Sequence, residues 1–384
     1  MLIGVDCRLW SQTGVGRYTR NLVLNLLQID KKNNYILFAK PEDKIDIKIQ
    51  ISKLKIKNSK FKIIIADIKF HSLAEQTKFP PLLNSYTLDL MHFPYFSVPI
   101  FYRKNYIVTV HDLIKNKFVT GKSSTLPFPV YITKQLAYKL VLKNALKKSK
   151  KIIVPSLAVK NDILKTYKKI NPQKIEVTYE GGLEERLRVQ NLKFKVPIKE
   201  KYFLRVGNYF PHKNVKTLLT AFKLFIGNSK NKNIKLVLIG KKDFFFKEME
   251  KNVNKLKISE NIIFMENKTD NGLISLYSNS IATIVPSYIE GFSLTAVEAM
   301  SLGSPLILSD IDVHREICGN LAFYFNPKNF YEFYEMLIKA NNLTLLERDI
   351  LSKKEKEKAL QYSWKKMALQ TLAVYENSAS TNSA

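Results

Sequence analysis

The chain has 384 residues, of which 46% are hydrophobic and 11% are aromatic. This composition excludes an intrinsically disordered protein, and the length favours two domains over a single core. Lys and Arg number 62 against 33 acidic residues, a formal net charge of +29. Such a charge indicates a polyanionic partner (nucleic acid, an anionic membrane or a phosphorylated substrate) unless it reflects compositional drift alone.

Cysteine usage and hydropathy bear on the compartment. Cys7 and Cys318 are too few and too far apart for a disulfide scaffold or a metal site, which favours a reducing environment. The first ten residues are typical of a buried strand and not of a signal peptide. No run of 18 apolar residues is present, so we expect no membrane-spanning helix and a cytoplasmic protein.

In the first half of the chain, short apolar runs alternate with helical patterns. The predicted strands are residues 2–6, 35–39, 62–67, 106–110 and 151–155. Residues 44–62 alternate Ile or Leu with Lys, which predicts an edge strand or a surface excursion. Residues 133–151 predict a basic, partly apolar helix that either packs on the core with a solvated lysine face or lies on a membrane.

The alternation restarts after residues 186–201, a polar stretch that we interpret as a linker. The second half predicts strands at 202–207, 235–240, 261–264, 281–286 and 305–309. Continuous apolar strands separated by helices favour parallel sheets that are covered on both faces. The sequence therefore predicts two doubly wound α/β domains, each with its ligand beyond the carboxyl ends of the strands.

The segment PSYIEGFSLTAVEAM, residues 286–300, contains the most informative motif. A buried strand ends at Pro286 and a helix begins near Leu294, so the intervening loop leads into a helix N-terminus. Unpaired N–H groups and the helix dipole favour a phosphate there, and Gly291 allows close approach. Glu290 and Glu298 flank that position, where carboxylates can accept hydrogen bonds from two sugars on either side of a diphosphate.

This segment resembles the Glu-x7-Glu signature of retaining family 4 glycosyltransferases. Nearly the whole chain shares the resemblance, through the segments TGVGRYTRNLVLNLL (13–27), YIVTVHDLI (106–114), VPSLAVKNDI (154–163), YFLRVGNYFPHKNVKTLLTAF (202–222) and SWKKMALQTLAVYE (363–376). It implies the GT-B fold, α/β with two facing Rossmann-like doubly wound domains and a C-terminal helix that crosses back to the first.

On this basis the chain is expected to divide into four parts. They are an acceptor-binding domain at 1–190, a nucleotide-sugar-binding domain at 191–358, a crossover helix at 359–376 and a disordered tail at 377–384.

The resemblance also implies roles for individual residues. Catalytic roles fall on His111 beside the donor sugar, Lys213 at the leaving diphosphate and Glu290 at the transferred sugar. Implied donor contacts are Gly16, Asn208, Lys213, Asn267, Gly291, Phe292, Ser293, Leu294 and Glu298. Acceptor-side candidates are Gly14, Arg17, His92 and Asp112.

One position departs from the family pattern. Many relatives place an Arg directly after the glycine that ends the first strand of the donor domain, where this chain has Asn208. Arg205 lies two residues before that glycine and is not taken as a substitute, and His212 could assist Lys213 only when protonated. The side chains of Asn267 and Asp270 fall where relatives hold the nucleobase.

The function expected from the resemblance is a retaining, metal-independent glycosyltransferase. It would move a hexose from a nucleotide sugar to a glycan or lipid-linked acceptor, with no cofactor. Within this family, the sequence motifs most resemble those of bacterial mannosyltransferase-like proteins of surface-glycan assembly. GDP-mannose is therefore the first choice of donor and a UDP-hexose is the second. No His/Cys/Asp cluster has metal-ligand spacing, so no metal is expected.

Alternatives from other classes remain at this stage. A dinucleotide-dependent oxidoreductase would use the same domain type, but TGVGRY lacks the third glycine of that fingerprint. A binding-only homologue is a further alternative because of Asn208. Nucleic acid is not expected as a partner, since no DNA- or RNA-binding motif is present. An anionic inner-leaflet membrane surface is a possible partner for the basic segment.

Overall fold

The computed structural model describes residues 1–54, 56, 60–117, 128–183, 198–266 and 270–380. The chain divides into two compact units. Unit 1 comprises Met1–Glu180 with Trp364–Ala384, and unit 2 comprises Gly181–Ser363. Most of the predicted linker 186–201, including the expected domain boundary at residue 190, lies outside the described residues, as does Asn267.

Unit 1 is built on a parallel sheet with the strand order β3-β2-β1-β4-β5-β6-β7. Its strands are β1 (Leu2–Asp6), β2 (Asn34–Ala39), β3 (Phe61–Ile65), β4 (Leu90–Phe93), β5 (Tyr106–Thr109), β6 (Ile152–Val154) and β7 (Ile175–Val177). Its helices are α1 (Gly14–Ile29), α2 (Lys44–Ser52), α3 (Leu73–Thr77), α4 (Phe79–Asn84), α5 (Ile114–Lys117), α6 (Phe128–Lys148), α7 (Leu157–Thr166) and α15 (Trp364–Ser380).

Unit 2 contains a second parallel sheet, with the strand order β10-β9-β8-β11-β12-β13. Its strands are β8 (Tyr202–Val206), β9 (Lys235–Ile239), β10 (Ile262–Met265), β11 (Thr283–Val285), β12 (Leu306–Ser309) and β13 (Ala322–Phe325). Its helices are α8 (Val215–Gly227), α9 (Phe244–Leu256), α10 (Asp270–Asn279), α11 (Leu294–Leu302), α12 (Asp312–Cys318), α13 (Phe330–Asn341) and α14 (Leu345–Ala359).

The central strands are buried along their whole length. All five residues of β2 from Tyr35 to Ala39 are buried, and the four residues of β12 are buried as well. Because both faces of such a strand are covered, its sequence reads as a continuous apolar run and not as an alternating one. This explains why the sequence located these strands correctly.

In both sheets the strand order reverses direction at one point. In unit 1, β1 pairs with both β2 and β4, and in unit 2, β8 pairs with both β9 and β11. The connections on either side of the reversal leave the sheet in opposite directions, which opens a crevice at the carboxyl ends of the two strands. Each unit therefore has a predetermined place for a ligand.

Three strands were missed from the sequence, namely β4, β7 and β13. Each has only three or four residues, and polar or aromatic side chains such as His92 and Tyr324 interrupt the aliphatic pattern. The edge-strand interpretation of residues 44–62 is wrong for 44–52, which form α2. Ile47 and Ile51 are buried four residues apart, which is the spacing of one helical face.

The last helix belongs to unit 1 although it follows unit 2 in sequence. Helix α15 packs against α1 and β4, and the Tyr375 hydroxyl lies 2.7 Å from Nδ1 of His92 on β4. The crossing back that was expected is therefore confirmed. The predicted bounds are corrected, because the helix begins at Trp364 and continues through part of the expected tail to Ser380.

A buried ion cluster holds the carboxyl end of β1. The Arg8 guanidinium donates to both carboxylate oxygens of Asp6 at 2.9 and 2.8 Å and to Glu75 at 2.9 Å. It lies between the rings of Phe70 and Phe79, 4.1 and 3.8 Å from their centroids. Separating any of these three side chains from the others would leave a buried charge uncompensated, at a high cost in free energy. The cluster therefore holds the loop after β1 in place.

In unit 2, helix α11 ends where helix α14 crosses it. Gly303 has a φ of 67°, and a Cβ there would overlap the Ser352 side chain of α14. One turn further along α14, Glu355 is fully buried. Among the described residues neither of its carboxyl oxygens has a hydrogen-bond partner. Burial raises the pKa of Glu355 well above its usual value and so favours the protonated form of this carboxyl.

We expect Glu355→Met to stabilise the protein, because it removes a buried carboxyl while keeping similar volume. An unfolded glutamate loses its proton near pH ~4.3, whereas folded Glu355 keeps its proton to higher pH. The free energy of unfolding of the wild-type protein therefore falls as the pH rises above ~4.3. The variant should gain about 1–3 kcal/mol at pH 8 and lose part of the pH slope, as measured by urea unfolding at pH 5 and 8. Glu357→Met, at an exposed position of the same helix, is the control. Equal effects of the two substitutions would contradict this assignment.

Candidate functional site

The crevice of unit 2 brings together a lysine and a glutamate from two different loops. Lys213 follows β8 and Glu290 follows β11, the two strands at the reversal of strand order. The Lys213 ammonium donates to both oxygens of Glu290, at 2.7 and 2.8 Å. Two residues predicted from the sequence, 77 positions apart, are thus in direct contact.

The charge of Glu290 is strongly stabilised. Burial by itself would raise the pKa of this carboxyl, but the charge and hydrogen bonds of Lys213 outweigh that effect and lower the pKa to about 2. Ser287 adds a hydrogen bond of 2.6 Å to Oε1. Glu290 is therefore a carboxylate throughout the physiological pH range and can accept, but not donate, a hydrogen bond.

Asn214 fixes the conformation of the Lys213 loop. It has a φ of 54°, and its amide donates to the carbonyl of Pro286 at 3.0 Å and to that of Pro327 at 2.8 Å. The backbone N–H of Tyr288 donates to the His212 carbonyl at 2.8 Å. These bonds tie the loop after β8 to the loop after β11, so that Lys213 and Glu290 are held together by the backbone as well as by their charges.

A second layer of hydrogen bonds supports the Glu290 loop from β12. Ser309 Oγ donates to the Ser287 carbonyl at 2.5 Å. Nδ1 of His314, a fully buried residue of α12, lies 2.8 Å from the Ser309 carbonyl and therefore carries the proton that donates to it. Burial lowers the pKa of His314, so the ring is neutral and acts as a fixed support.

Helix α11 begins directly after this loop. Ser293 caps it with a left-handed backbone, φ 76°, and its buried Oγ has no hydrogen-bond partner among the described residues. The N–H groups of the first turn, from Leu294 onward, face the same end of the sheet, and an anion is favoured at such a terminus. Phe292 is buried against the ring of Tyr362, whereas Gly291 is half-buried.

Glu298 lies one turn into α11 and is only 3% exposed. This burial shows that the Glu298 side chain is not a solvated one on the helix surface. Tyr277 of α10 donates its hydroxyl to Oε2 of Glu298 at 2.8 Å. A buried carboxylate held by a tyrosine is positioned to accept hydrogen bonds from a polyhydroxyl group.

Asn208 stands where many relatives carry an Arg, and the side chain of Arg205 lies close to this position in the structure. The guanidinium of Arg205 is buried and donates to the carbonyls of Gly207 and Asn208. It therefore supports the loop in which relatives carry their Arg. His212 does not add a cation, because burial and then the charge of Lys213 lower its pKa to about 4.

Unit 1 places the second set of predicted residues at its own carboxyl edge. His111 follows β5, and its ring meets the Tyr18 ring of α1 edge to face at 4.7 Å. Its Nδ1 lies 3.1 Å from Oε1 of Glu180, and its Nε2 lies 2.9 Å from the Pro94 carbonyl. Glu180, which follows β7, was not predicted from the sequence.

His92 supports this edge from inside the unit. It is 0% exposed, and burial lowers its pKa to about 3. Its ring nitrogens lie 2.7 Å from the Tyr375 hydroxyl and 2.8 Å from Thr109 Oγ1. In this structure the expected acceptor-side residue therefore does not face solvent and connects β4 and β5 to the last helix.

The remaining predicted residues of unit 1 differ in their surroundings. A Cβ at Gly16 would overlap the backbone carbonyls of Leu9 and Trp10, so this glycine permits close packing of α1 on the preceding loop. A Cβ at Gly14 would meet open space. Arg17 and Asp112 are half-buried, and Asp112 accepts the backbone N–H of Ile114 at 2.9 Å.

In the part of the chain that the structure describes, no group of three or more His, Cys, Asp or Glu side chains could hold a metal ion. The sequence contains one Asp-x-Asp tripeptide, Asp310 to Asp312. Both oxygens of Asp310 accept hydrogen bonds from Arg315, at 2.7 and 2.8 Å. The Asp270 side chain lies outside the described set, although its backbone begins α10.

Several supporting residues could not be found from the sequence. Asn214, Tyr277 and Glu180 act through partners far away in the chain, whereas Ser287 bonds to Glu290 only three residues on. The single local signal was the position of Ser287 between a strand end and the Glu290 loop, where short polar residues often bond to neighbouring side chains.

Comparison with known proteins identifies what this arrangement is similar to. Residues 189–359 match the family model described as "Glycosyl transferases group 1". The O-antigen chain mannosyltransferase RfbU of Salmonella typhimurium is 29% identical over 224 residues, which are 58% of this chain and 57% of that protein. The serotype-specific mannosyltransferase WbdA of Escherichia coli is 32% identical over 154 residues, 40% of this chain and 19% of that protein. The chain thus spans little more than half of the first relative and about a fifth of the second.

The fold is shared with solved structures. A sucrose-phosphate synthase from Thermosynechococcus elongatus superposes with a TM-score of 0.74 at 18% identity, over 98% of both chains. The α/β fold class expected from the sequence, with two Rossmann-like units, is confirmed.

Proposed function

We propose that the chain is a hexosyltransferase that uses a nucleotide-sugar donor, because residues 189–359 match the family model of group 1 glycosyl transferases. The resemblance found in the sequence is confirmed over this part of the chain. The observation that carries the proposal is the grouping of Lys213, Glu290, Glu298 and the N-terminus of α11 at the strand-order reversal of unit 2.

Each group has a chemical task in this proposal. The first turn of α11 and the Lys213 ammonium bind the diphosphate, whose negative charge grows as the sugar departs. Glu298 accepts hydrogen bonds from the ribose hydroxyls, and Glu290 accepts them from hydroxyls of the transferred sugar. Lys213 then interacts both with Glu290 and with the leaving group, which links recognition of the sugar to stabilisation of its departure.

The finer assignments are part of the proposal. We infer GDP-mannose as the donor, with a UDP-hexose as the second choice, because RfbU and WbdA are named mannosyltransferases. The acceptor, a glycan or lipid-linked hydroxyl compound, is assigned to unit 1. Transfer retains the anomeric configuration and needs no metal, with a leaving phosphate oxygen taking the proton of the acceptor hydroxyl.

Donor specificity and mechanism can be tested together. We expect isothermal titration to show binding of GDP in preference to UDP and no binding of NAD. With GDP-mannose, NMR of the early product should show the α-configuration of the donor, at a rate that excess EDTA leaves unchanged. NAD binding without nucleoside diphosphate binding would favour the oxidoreductase alternative, whereas nucleotide binding without turnover would favour a binding-only protein. An inverted product would exclude the retaining mechanism.

Substitution of the two glutamates should change different quantities, namely the Kd of the nucleotide for Glu298 and kcat for Glu290. Glu298→Ala should raise the Kd of the nucleoside diphosphate at least about tenfold, since hydrogen bonds to a charged acceptor are worth roughly 1.5–3 kcal/mol each. Glu290→Ala should lower kcat while changing that Kd little, because its partner is the sugar. Tyr277→Phe is the matched control, because it removes the protein's own bond to Glu298 and keeps the carboxylate. If Glu298→Ala leaves the Kd unchanged, the ribose assignment is wrong.

We also propose that helix α6 lies on an anionic membrane surface. Its inner side packs on the core through Leu142 and Leu146. On the outer side Leu136 and Leu140 are 63% and 61% exposed, at the spacing of one helical face. Exposed apolar residues accompanied by lysines are typical of helices that lie in a membrane interface.

The basic residues of α6 continue that face. Lys139, Lys143 and Lys147 are exposed and spaced four residues apart. Beside them a cavity of about 440 Å³ is lined by Asn116, Lys117, Lys139, Lys143, Thr166 and Tyr167. In the described residues no helix is long and apolar enough to span a bilayer. The proposed location is therefore peripheral, at the cytoplasmic face of the inner membrane.

Liposome sedimentation tests the membrane proposal. We expect binding to anionic but not neutral liposomes at 0.1 M salt, fading towards 1 M as the Debye length falls from about 10 to about 3 Å. Because each lysine near the surface contributes about 1 kcal/mol, changing Lys139, Lys143 and Lys147 to Gln should lower the affinity at least about tenfold. The matched control changes Lys247, Lys251 and Lys255, which have the same spacing and are exposed on α9. Equal losses in both variants would point to net charge rather than to α6.

A further inference from the structure

The imidazole of His111 is engaged at both of its nitrogens. Nε2 lies 2.9 Å from the backbone carbonyl of Pro94, and a carbonyl oxygen can only accept a hydrogen bond. Nε2 therefore carries a proton. Nδ1 lies 3.1 Å from Oε1 of Glu180, so a second proton lies between this nitrogen and the carboxylate.

We propose that Glu180 is a positioning residue that keeps His111 doubly protonated, so that His111 serves as a fixed cation and not as a proton acceptor. The proposal rests on the transferase function proposed above. Because both ring nitrogens are already engaged, a fixed cation at this edge of unit 1 attracts an electron-rich oxygen of a substrate through its charge. The proton of the acceptor hydroxyl must then leave by another route.

The surroundings of the pair favour the charged form. Glu180 is only 4% exposed, and charges attract more strongly where water is excluded. Burial by itself would lower the pKa of His111, but the hydrogen bond and the charge of Glu180 outweigh burial and raise it. Asp112, which follows His111 on the same loop, acts in the same direction.

The other elements packed around His111 bring few ionisable groups. Helix α1 presents the Tyr18 ring, and strand β4 presents His92. Burial raises the pKa of Tyr18 and lowers that of His92, so both are neutral near pH 7. Among the described residues that act on His111, the carboxylates of Glu180 and Asp112 are therefore the opposing charges.

The pH dependence follows from these partners. Because the pKa of folded His111 is raised, its pairing with Glu180 stabilises the protein fully below pH ~6.5, the usual value for an unfolded histidine. That contribution is lost as the pH rises through the folded pKa. Activity that needs the cation should decline over the same alkaline range.

Histidine NMR tests the proposal without depending on turnover. The chain has five histidines, His71, His92, His111, His212 and His314, so ¹⁵N-histidine labelling gives a small set of signals that single substitutions assign. We expect both His111 nitrogens to show imidazolium shifts at pH 7. In Glu180→Gln the ring should become neutral, with its titration moved down by at least about one pH unit.

The matched control is Glu176→Gln on β7, which removes a half-buried carboxylate that pairs with Lys151 at 2.7 Å. It should leave the His111 titration unchanged. In the transferase assay the alkaline limb of kcat should move with the NMR titration in Glu180→Gln and stay in place in the control. Glu180→Asp should restore the limb in part.

Two results would overturn the proposal: a neutral His111 in the wild-type protein at pH 7, or a titration that Glu180→Gln does not move. The NMR spectrum of the wild-type protein decides the protonation state of His111 even if Glu180→Gln does not fold. If the NMR result holds but no transfer is detected, then the proposed function is wrong and the His111–Glu180 pair stands.

Discussion

The reversal of strand order in each parallel sheet is the constraint on which the functional geometry depends. Parallel strands all end at the same edge, and only at the reversal do neighbouring connections diverge and leave room for a ligand. In unit 2 the two strands at that point carry Lys213 and Glu290 on their following loops. In unit 1 the corresponding strand β4 leads to Pro94, whose carbonyl holds His111. The chemistry of both units is thus assembled from chain segments that are far apart in sequence.

Hydrogen bonds from side chains to backbone carbonyls make this geometry rigid before any ligand binds. Asn214 joins the loop after β8 to carbonyls at two other strand ends, and Ser309 joins β12 to the Glu290 loop. Preorganised charges are effective in catalysis because they need not reorganise as the reaction proceeds. The left-handed backbone at Asn214 and Ser293 costs free energy, which the surrounding bonds offset. Local strain at these two residues is therefore part of how the site is held.

The positive charge of the chain serves more than one purpose in this interpretation. Half-buried Lys213 pairs with a carboxylate in unit 2, and Arg205 supports the neighbouring loop from inside the sheet. The lysines of α6, in contrast, are exposed beside apolar side chains. A surface lysine contributes little to stability but acts at long range on an anionic surface. Separate experiments on α6 and on the crevice of unit 2 can therefore distinguish the two uses.

The sequence by itself determined the fold class, most of the central strands and the pair Glu290 and Glu298, because buried parallel strands and a loop before a helix leave local patterns. Only the tertiary structure decided which residues pair with them. Glu180 is 69 positions from His111, and Tyr277 is 21 positions from Glu298. Short strands such as β4 and the helical form of residues 44–52 also depended on tertiary packing, since few residues carry their local signal. Hydrogen-bond partners across a sheet edge are set by the strand order, and no local pattern of residues encodes that order.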